Sequence, residues 1–490
     1  MNETAGTEKA AEKFDVVIRD GRLIDGTSAP ARAMTVAVTG ERIAAIAAPE
    51  DSAHWWGKLE IDASDRVLAP GFIDVHTHDD NAVLIDPAMA AKISQGVTTV
   101  IVGNCGISLA PITDIEPPPP LNLLGGRERF QYQTMADYLA AVTAIKPSVN
   151  VAALVGHSTL RAGAMDSLDR GATADEIDLM KEKLAASLDA GAIGLSTGLY
   201  YKTAAAADME EVIALAEVLS DSGGIYTTHM RDEANHIIDS LTETQTTAQR
   251  AGVPVVVSHH KCSQPANWGR SPETLAFIEE ARQSTTMGLD AYPYAAGSTV
   301  LDPDWAHDRI RIMITTSKPY PEVSGRDLKD IAAEWGCSLK EAAVKLAPAG
   351  AIYFQMDEAD VRRILAYPPT MIGSDGLPHD EHPHPRLWGT FPRVLGHYCR
   401  DEGLFDLETA VHKMTGLSAQ TFGLKDRGVV REGAYADLVV FDPAEVKDLA
   451  TFEDPLQQSA GIDYVLVNGT LSLLLGNLCA ERAGQVVGNR

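Results

Sequence analysis

The chain has 490 residues, 45% of them apolar and 22% charged, the balance of a folded globular protein rather than a disordered one. Its 41 basic residues against 68 acidic ones leave a net charge of −27, which argues against nucleic acid or an anionic membrane surface as a partner. No run of about 18 uninterrupted apolar residues occurs, so no transmembrane helix is expected. The five scattered cysteines suit a reducing compartment better than a disulfide framework, and with no secretory leader legible in the opening residues a cytoplasmic location is expected.

In chain order, residues 1–13 read as a disordered tail. From Phe14 to Ala69 the sequence alternates short strands with turns, and GAYADLVVFDP and DYVLVNGTL near the other end read the same way. Residues 14–69 and 420–490 are therefore predicted to form one small β-sandwich built from both termini. Between them, residues 70–419 alternate strand-like runs with helix-periodic stretches, the pattern of βα units on a parallel sheet. Eight runs are legible: GFIDVHTH (71–78), VTTVIVGNC (97–105), NVAALVGH (150–157), GAIGLST (191–197), GIYTTHM (224–230), VPVVVSHH (253–260), TMGLDAYPY (286–294) and PTMIGSDG (369–376). Eight units predict an α/β fold, a (β/α)8 TIM-type barrel. The gap between the last two runs is too long for one crossover, so an inserted lid subdomain is expected at about 295–365.

The ends of these runs carry the chemistry. His76 and His78 end the first, Cys105 the second, His229 the fifth, His259 and His260 the sixth, and Asp375 the eighth. In a barrel the strand C-termini converge on one face, and side-chain alternation puts His76 and His78 on the same side. Imidazole, thiolate and carboxylate together suit Zn2+. A single strand histidine is more often a satisfied core residue, so the inference rests on the set. Alternation says that one of His259 and His260 faces inward, without saying which. Asp290 lies within the seventh run and reads as structural. Asp375, beside the metal candidates, is the best general acid/base. Three features read more blandly. Gly194-Leu195-Ser196-Thr197-Gly198 matches the G-x-S-x-G nucleophile elbow, but no helix follows the serine directly. His379, His382 and His384 are interrupted by prolines and read as loop. The PPPP run after Glu116 reads as a stiff surface loop.

APGFIDVHTH (69–78) resembles the first-strand signature of the amidohydrolase superfamily, and GAYADLVVFD (433–442) its returning β segment. GNCGIS (103–108), THMRDE (228–233), SHHK (258–261) and IGSDG (372–376) resemble the N-acyl-D-amino acid deacylases, or D-aminoacylases, over about residues 14–475. The resemblance implies zinc-dependent hydrolysis of a small N-acyl-D-amino acid, with no nucleic-acid or membrane partner. It implies one tight zinc on Cys105, His229 and His259, which selects His259 of the adjacent pair, and a weaker metal position lined by His76, His78 and Asp375. It also implies that Lys261, Arg386, Tyr292 and Ser298 contact substrate, the two cations gripping its α-carboxylate. Tyr200, Tyr353 and Met356 fall where the family's acyl-amino-acid pocket lies, which favours hydrophobic D side chains. Hydantoinases and dihydroorotases carry a carboxylated lysine at the end of the fourth strand; here Ser196-Thr197 stands there, which disfavours a cyclic-amide hydrolase. The full set of ligand types disfavours an inactive binding scaffold.

Overall fold

The computed structural model describes residues 12–488. Eight parallel strands form one sheet in sequential order: β1 (Phe72–Asp74), β2 (Val97–Val102), β3 (Asn150–Gly156), β4 (Gly194–Gly198), β5 (Ile225–His229), β6 (Val255–Val257), β7 (Met287–Ala291) and β8 (Thr370–Ile372). Nearly every residue in them is buried, as expected of strands covered on both faces. Inside, Ile73, Leu154, Ile193, Val256 and Met371 pack as a solid core, closed from below by Ala419, Phe422 and Leu424. The strands are shorter than the sequence runs. Several end two or three residues before their metal-capable side chains, which therefore sit in the turns just above the sheet.

The barrel closes between β8 and β1, and it closes beyond the strands themselves. The Asp375 N–H donates to the His76 carbonyl at 2.7 Å and the His78 N–H to the Gly376 carbonyl at 3.3 Å. Gly373 permits this approach, since a Cβ there would lie 2.4 Å from the His76 Cβ. Beneath the seam the fully buried Lys92 ammonium meets Asp74 at 2.8 Å and Asp79 at 3.2 Å, and donates to the Ser374 hydroxyl at 2.9 Å. Asp74 in turn accepts the Ser374 N–H at 2.7 Å. One cation thus ties β1 to β8 where the ladder is thin.

The second unit is a nine-stranded mixed sheet whose strands come from both ends of the chain, Glu12–Leu23 to Val67–Pro70 and Leu438–Phe441 to Asn477–Leu478. Ile18, Val36, Leu68, Leu438 and Leu466 form its core. Three boundaries differ from those expected. Glu12 and Lys13 are strand residues paired with Trp55 and Trp56 rather than tail, and residues 1–11 lie outside the described part. Residues 420 and 421 end the helix Gly416–Thr421, which packs under the barrel. Near the C-terminus the chain leaves the sheet, and Val151 of β3 exchanges backbone hydrogen bonds with Gln485 and Val487.

The insertion is a three-stranded antiparallel sheet, Gly297–Val300, Ile312–Ser317 and Ala349–Tyr353, with helices Leu328–Trp335 and Leu339–Leu346 over its own small core. It is narrower than 295–365, because helix Glu358–Ala366 already packs on the barrel helix Ser271–Ala281. Among the described residues no helix is long and apolar enough to cross a membrane.

Lys92→Met leaves the Asp74 and Asp79 carboxylates buried without their cation, and losing one partner of such a group typically costs about 3–5 kcal/mol. Urea unfolding is expected to show a clearly lowered midpoint; an unchanged midpoint would refute the role given to this group.

Candidate metal centre

Six side chains from β1, β2, β5, β6 and β8 converge at the barrel mouth. The ligand-capable atoms of His76, His78, Cys105 and Asp375 lie within 4.8 Å of one another, and so do those of Cys105, His229 and His259. Cys105 belongs to both groups. Its Sγ is 3.2 Å from His76 Nε2 and 3.3 Å from His259 Nε2. Asp375 Oδ1 is 3.1 Å from His78 Nε2 and 3.6 Å from His76 Nε2. All six are buried. Cys105, His259 and Asp375 have φ of +53°, +36° and +50°. Left-handed backbone is uncommon for residues with a side chain and gathers where function holds it. Here it turns each of the three side chains back over the mouth immediately after its strand.

A ring of partners orients the imidazoles. His76 Nδ1 lies 3.4 Å from Asp290, which also accepts the His259 N–H at 2.9 Å. Asp290 is thus more than a generic structural residue of β7. His259 Nδ1 lies 3.0 Å from Glu233, whose carboxylate also takes Lys261 Nζ at 2.7 and 2.8 Å. Lys261 Nζ also lies 2.7 Å from His259 Nδ1, so lysine, carboxylate and Nδ1 form one tight group on the outer side of the ring and leave Nε2 facing Cys105. Sequence reasoning assigned Glu233 no role, although it closes the quoted THMRDE motif.

The charges compensate. Burial alone would raise the Cys105 thiol, but His76 and His259 hold it well below its usual value. Burial likewise opposes ionisation of Asp375, and Arg386 and His78 hold it well below the usual carboxylate range. Glu233 is also held down against burial, first by Lys261. Burial lowers His229, and its Nδ1 and that of His78 are buried with no protein partner. A thiolate, a carboxylate and imidazole lone pairs converging on one dry point fit Zn2+.

Above the centre opens a cavity of about 800 Å³ including its mouth, roofed by the inserted sheet. Tyr200, Lys261, Tyr292, Ser298 and Tyr353 all line it. The hydroxyls of Tyr292 and Ser298 are buried and have no protein partner. Tyr353 spends its hydroxyl within the insertion, accepting from the Asp302 N–H and donating to the Val300 carbonyl. Two expected residues sit elsewhere. Met356 lines a smaller cavity behind the His259–Lys261 wall, because its N–H is tied to the Ala295 carbonyl. Arg386 opens the helix Arg386–Arg393 rather than lying in a loop. It is fully buried under the Tyr292 ring at 4.5 Å and pairs with Asp375 at 3.0 Å. Tyr201, Trp305 and Leu377 complete the walls without having been anticipated.

The blander readings can also be placed. His260 turns away to Thr274 at 2.8 Å, and burial lowers it to about 4. His382 and His384 bond the Phe452 and Ala296 carbonyls. The helix after β4 starts only at Met209, capped by Asp208, so Ser196 is not on a nucleophile elbow.

The profile described as Amidohydrolase family matches residues 59–311 and 340–472. D-aminoacylase from Alcaligenes xylosoxydans xylosoxydans is 53% identical over 481 residues, 98% of this chain and 99% of that protein. N-acyl-D-aspartate deacylase from the same organism is 48% identical over 488 residues, 99% of this chain and 97% of the other. The crystal structure of N-acyl-D-glutamate deacylase from Bordetella bronchiseptica, complexed with zinc and a phosphonate mimic of the tetrahedral intermediate, superposes with a TM-score of 0.93 at 48% identity, covering 97% of this chain and all of that one. The chain belongs to the amidohydrolase family. Within it, full-length likeness to these enzymes places it in the D-aminoacylase branch.

Glu233→Ala removes the carboxylate beside His259 Nδ1 and strands Lys261 against the ring. Zinc retention against a chelator is expected to fall about 10–100-fold, the usual effect of losing such a partner. Retention equal to wild type would mean that Glu233 does not orient His259.

Proposed function

We propose that the protein hydrolyses N-acyl-D-amino acids to a D-amino acid and a carboxylate, using zinc held by Cys105, His229 and His259, with a second, weaker metal position lined by His76, His78 and Asp375. The observation that carries the reading is one buried cysteine, Cys105, common to both ligand groups, at the floor of a cavity lined by unpartnered hydroxyls. When bound, zinc supplies Lewis-acid polarisation of the amide carbonyl and makes water acidic near neutral pH. The chain's own residues do the rest.

Asp375 is the general acid/base. Its Oδ2 is pinned by Arg386 and its Oδ1 faces the histidines, so the carboxylate enters the reaction ionised. It takes a proton from the attacking water and returns one to the departing nitrogen. Lys261, Tyr292 and Ser298 grip the α-carboxylate from the cavity wall. Arg386 contributes its charge from beneath Tyr292 and sets the position of Asp375. Water is kept from the reacting amide by the inserted strand Gly297–Val300, with Tyr200 stacked on the His229 ring at 5.4 Å.

The walls favour hydrophobic D side chains. Two non-histidine cations line the cavity: Arg231 is held by Glu243 at 2.8 Å, and Lys261, paired with Glu233, is the one assigned to the α-carboxylate. An acidic side chain would meet no free positive partner there, whereas Tyr200, Trp305, Tyr353 and Leu377 offer apolar surface. Ser196-Thr197 in β4, where the cyclic-amide hydrolases carry lysine, supports the linear amide.

Amine release from paired N-acetyl-D- and N-acetyl-L-leucine, methionine, phenylalanine, glutamate and aspartate, with and without added zinc, tests this. Cleavage of the D forms alone is expected, with leucine, methionine and phenylalanine ahead of the acids. Equal cleavage of L forms, or none from zinc-loaded protein, would overturn the proposal.

Asp375→Asn is expected to lower kcat/KM by about 10²–10⁴-fold, the usual worth of a general acid/base, with the zinc of the Cys105 site kept. Cys105→Ala is expected to lose zinc and activity together. Metal analysis and turnover on one preparation check both, and full zinc in the cysteine variant would exclude Cys105 as a ligand.

A further inference from the structure

The loop that carries Cys105 is held on both flanks by a side chain the reaction does not use. Ser196 lies fully buried in the middle of β4. Its Oγ accepts the Gly106 N–H at 3.0 Å and donates to the Gly103 carbonyl. Those groups bracket Asn104-Cys105. Gly103, Cys105 and Gly106 all have left-handed backbone, with φ of +81°, +53° and +75°. The segment therefore cannot continue β2; Asp80 accepts the Gly103 N–H at 3.2 Å and the Thr159 N–H reaches the Gly106 carbonyl at 3.3 Å, while Ser196 bonds both flanks at once.

The rest of the G-x-S-x-G sequence fits the same task. A Cβ on Gly198 would lie 2.1 Å from the Cys105 carbonyl oxygen, and one on Gly106 would lie 2.7 Å from the Gly198 nitrogen. Loop and strand can touch because both positions are glycine. At that distance a side chain must give and accept a hydrogen bond at once within a small volume. A serine hydroxyl does both; an alanine does neither.

We infer that Ser196 is a positioning residue for the metal centre, clamping the 103–106 loop so that the Cys105 thiolate is oriented before any metal arrives. The inference rests on the proposed reading of Cys105 as a ligand. It gives the elbow-like motif a use that involves no nucleophile.

The test compares Ser196→Ala, Ser196→Thr and Thr197→Val with wild type. The Thr197 hydroxyl is equally buried on the same strand, but bonds Tyr226 and Thr228. Two readouts are taken: zinc retention in chelator competition, and the thiolate-to-cobalt absorption band of the cobalt-substituted protein. Ser196→Ala is expected to lose zinc about 10–100-fold more readily and to show a weakened or shifted band. Ser196→Thr, which keeps donor and acceptor, and Thr197→Val are expected to stay near wild type. Unchanged retention in Ser196→Ala overturns the clamp, as does an equal loss in Thr197→Val or in Ser196→Thr. Failure of Ser196→Ala alone to fold also overturns it, because the hydroxyl would then hold the barrel rather than the loop. A wild-type protein with no thiolate-to-cobalt band overturns the ligand reading itself, and the inference with it.

Discussion

The structure depends on keeping ionised groups dry. A thiolate, three carboxylates, a lysine, an arginine and several imidazoles share one barrel mouth, nearly all out of solvent. Any of them alone would be costly to bury. Together they form a chain of compensation from Arg386 to Asp375, on to the histidines and Cys105, and back through His259 to Glu233 and Lys261. No member can be removed without leaving another uncompensated. That explains why so many residues around the centre are polar and buried, and why so few are free to bend.

The same constraint shapes the backbone. A flat strand end would send alternate side chains into the core and out to the helices. The left-handed turns at Cys105, His259 and Asp375 break that alternation, and each must be secured locally. Asp290 secures the turn at His259 through its N–H, and the His76 carbonyl secures the turn at Asp375. At Cys105, β4, two places along the sheet from β2, does it through Ser196. The seam between β1 and β8, the thinnest part of the ladder, runs through the turn at Asp375, and Lys92 supports it from below.

Most of this architecture was legible in the sequence, for physical reasons. Parallel strands buried on both faces produce uninterrupted apolar runs, and the metal-capable residues stand at a constant place relative to those runs. His76, His78, Cys105, His229 and Asp375 therefore stood out as candidates from the pattern itself, whereas the choice of His259 over His260 rested on the family resemblance. What stayed hidden depends on contacts between segments distant in sequence. Nothing local marks Glu233 as the partner of His259, or shows that Asp290 turns toward His76. Arg386 was visible as a cation near Asp375, but not as one buried beneath Tyr292. Met356 has the right character for a substrate wall, and only the tie of its backbone to Ala295 sends it to the other side. The strand residues Glu12 and Lys13 read as tail because the exposed, charged end of a strand and a loose terminus have the same composition.

The global and local fields point in opposite directions. A chain of net charge −27 repels anions at long range, and at physiological ionic strength that repulsion is largely screened within about 8 Å. Inside the cavity screening is weak, and the nearest charges decide. There Lys261 lines the cavity and Arg386 lies buried beneath it, at 5.8 and 4.5 Å from the Tyr292 ring. Each is paired with a carboxylate that also meets the metal-capable side chains, Glu233 through His259 and Asp375 through His78. The cations that would recognise an anionic substrate are thus coupled to the groups that would transform it. An anion arriving at Tyr292 draws on the same network that keeps Asp375 ionised, so binding and proton transfer cannot be tuned independently in this site.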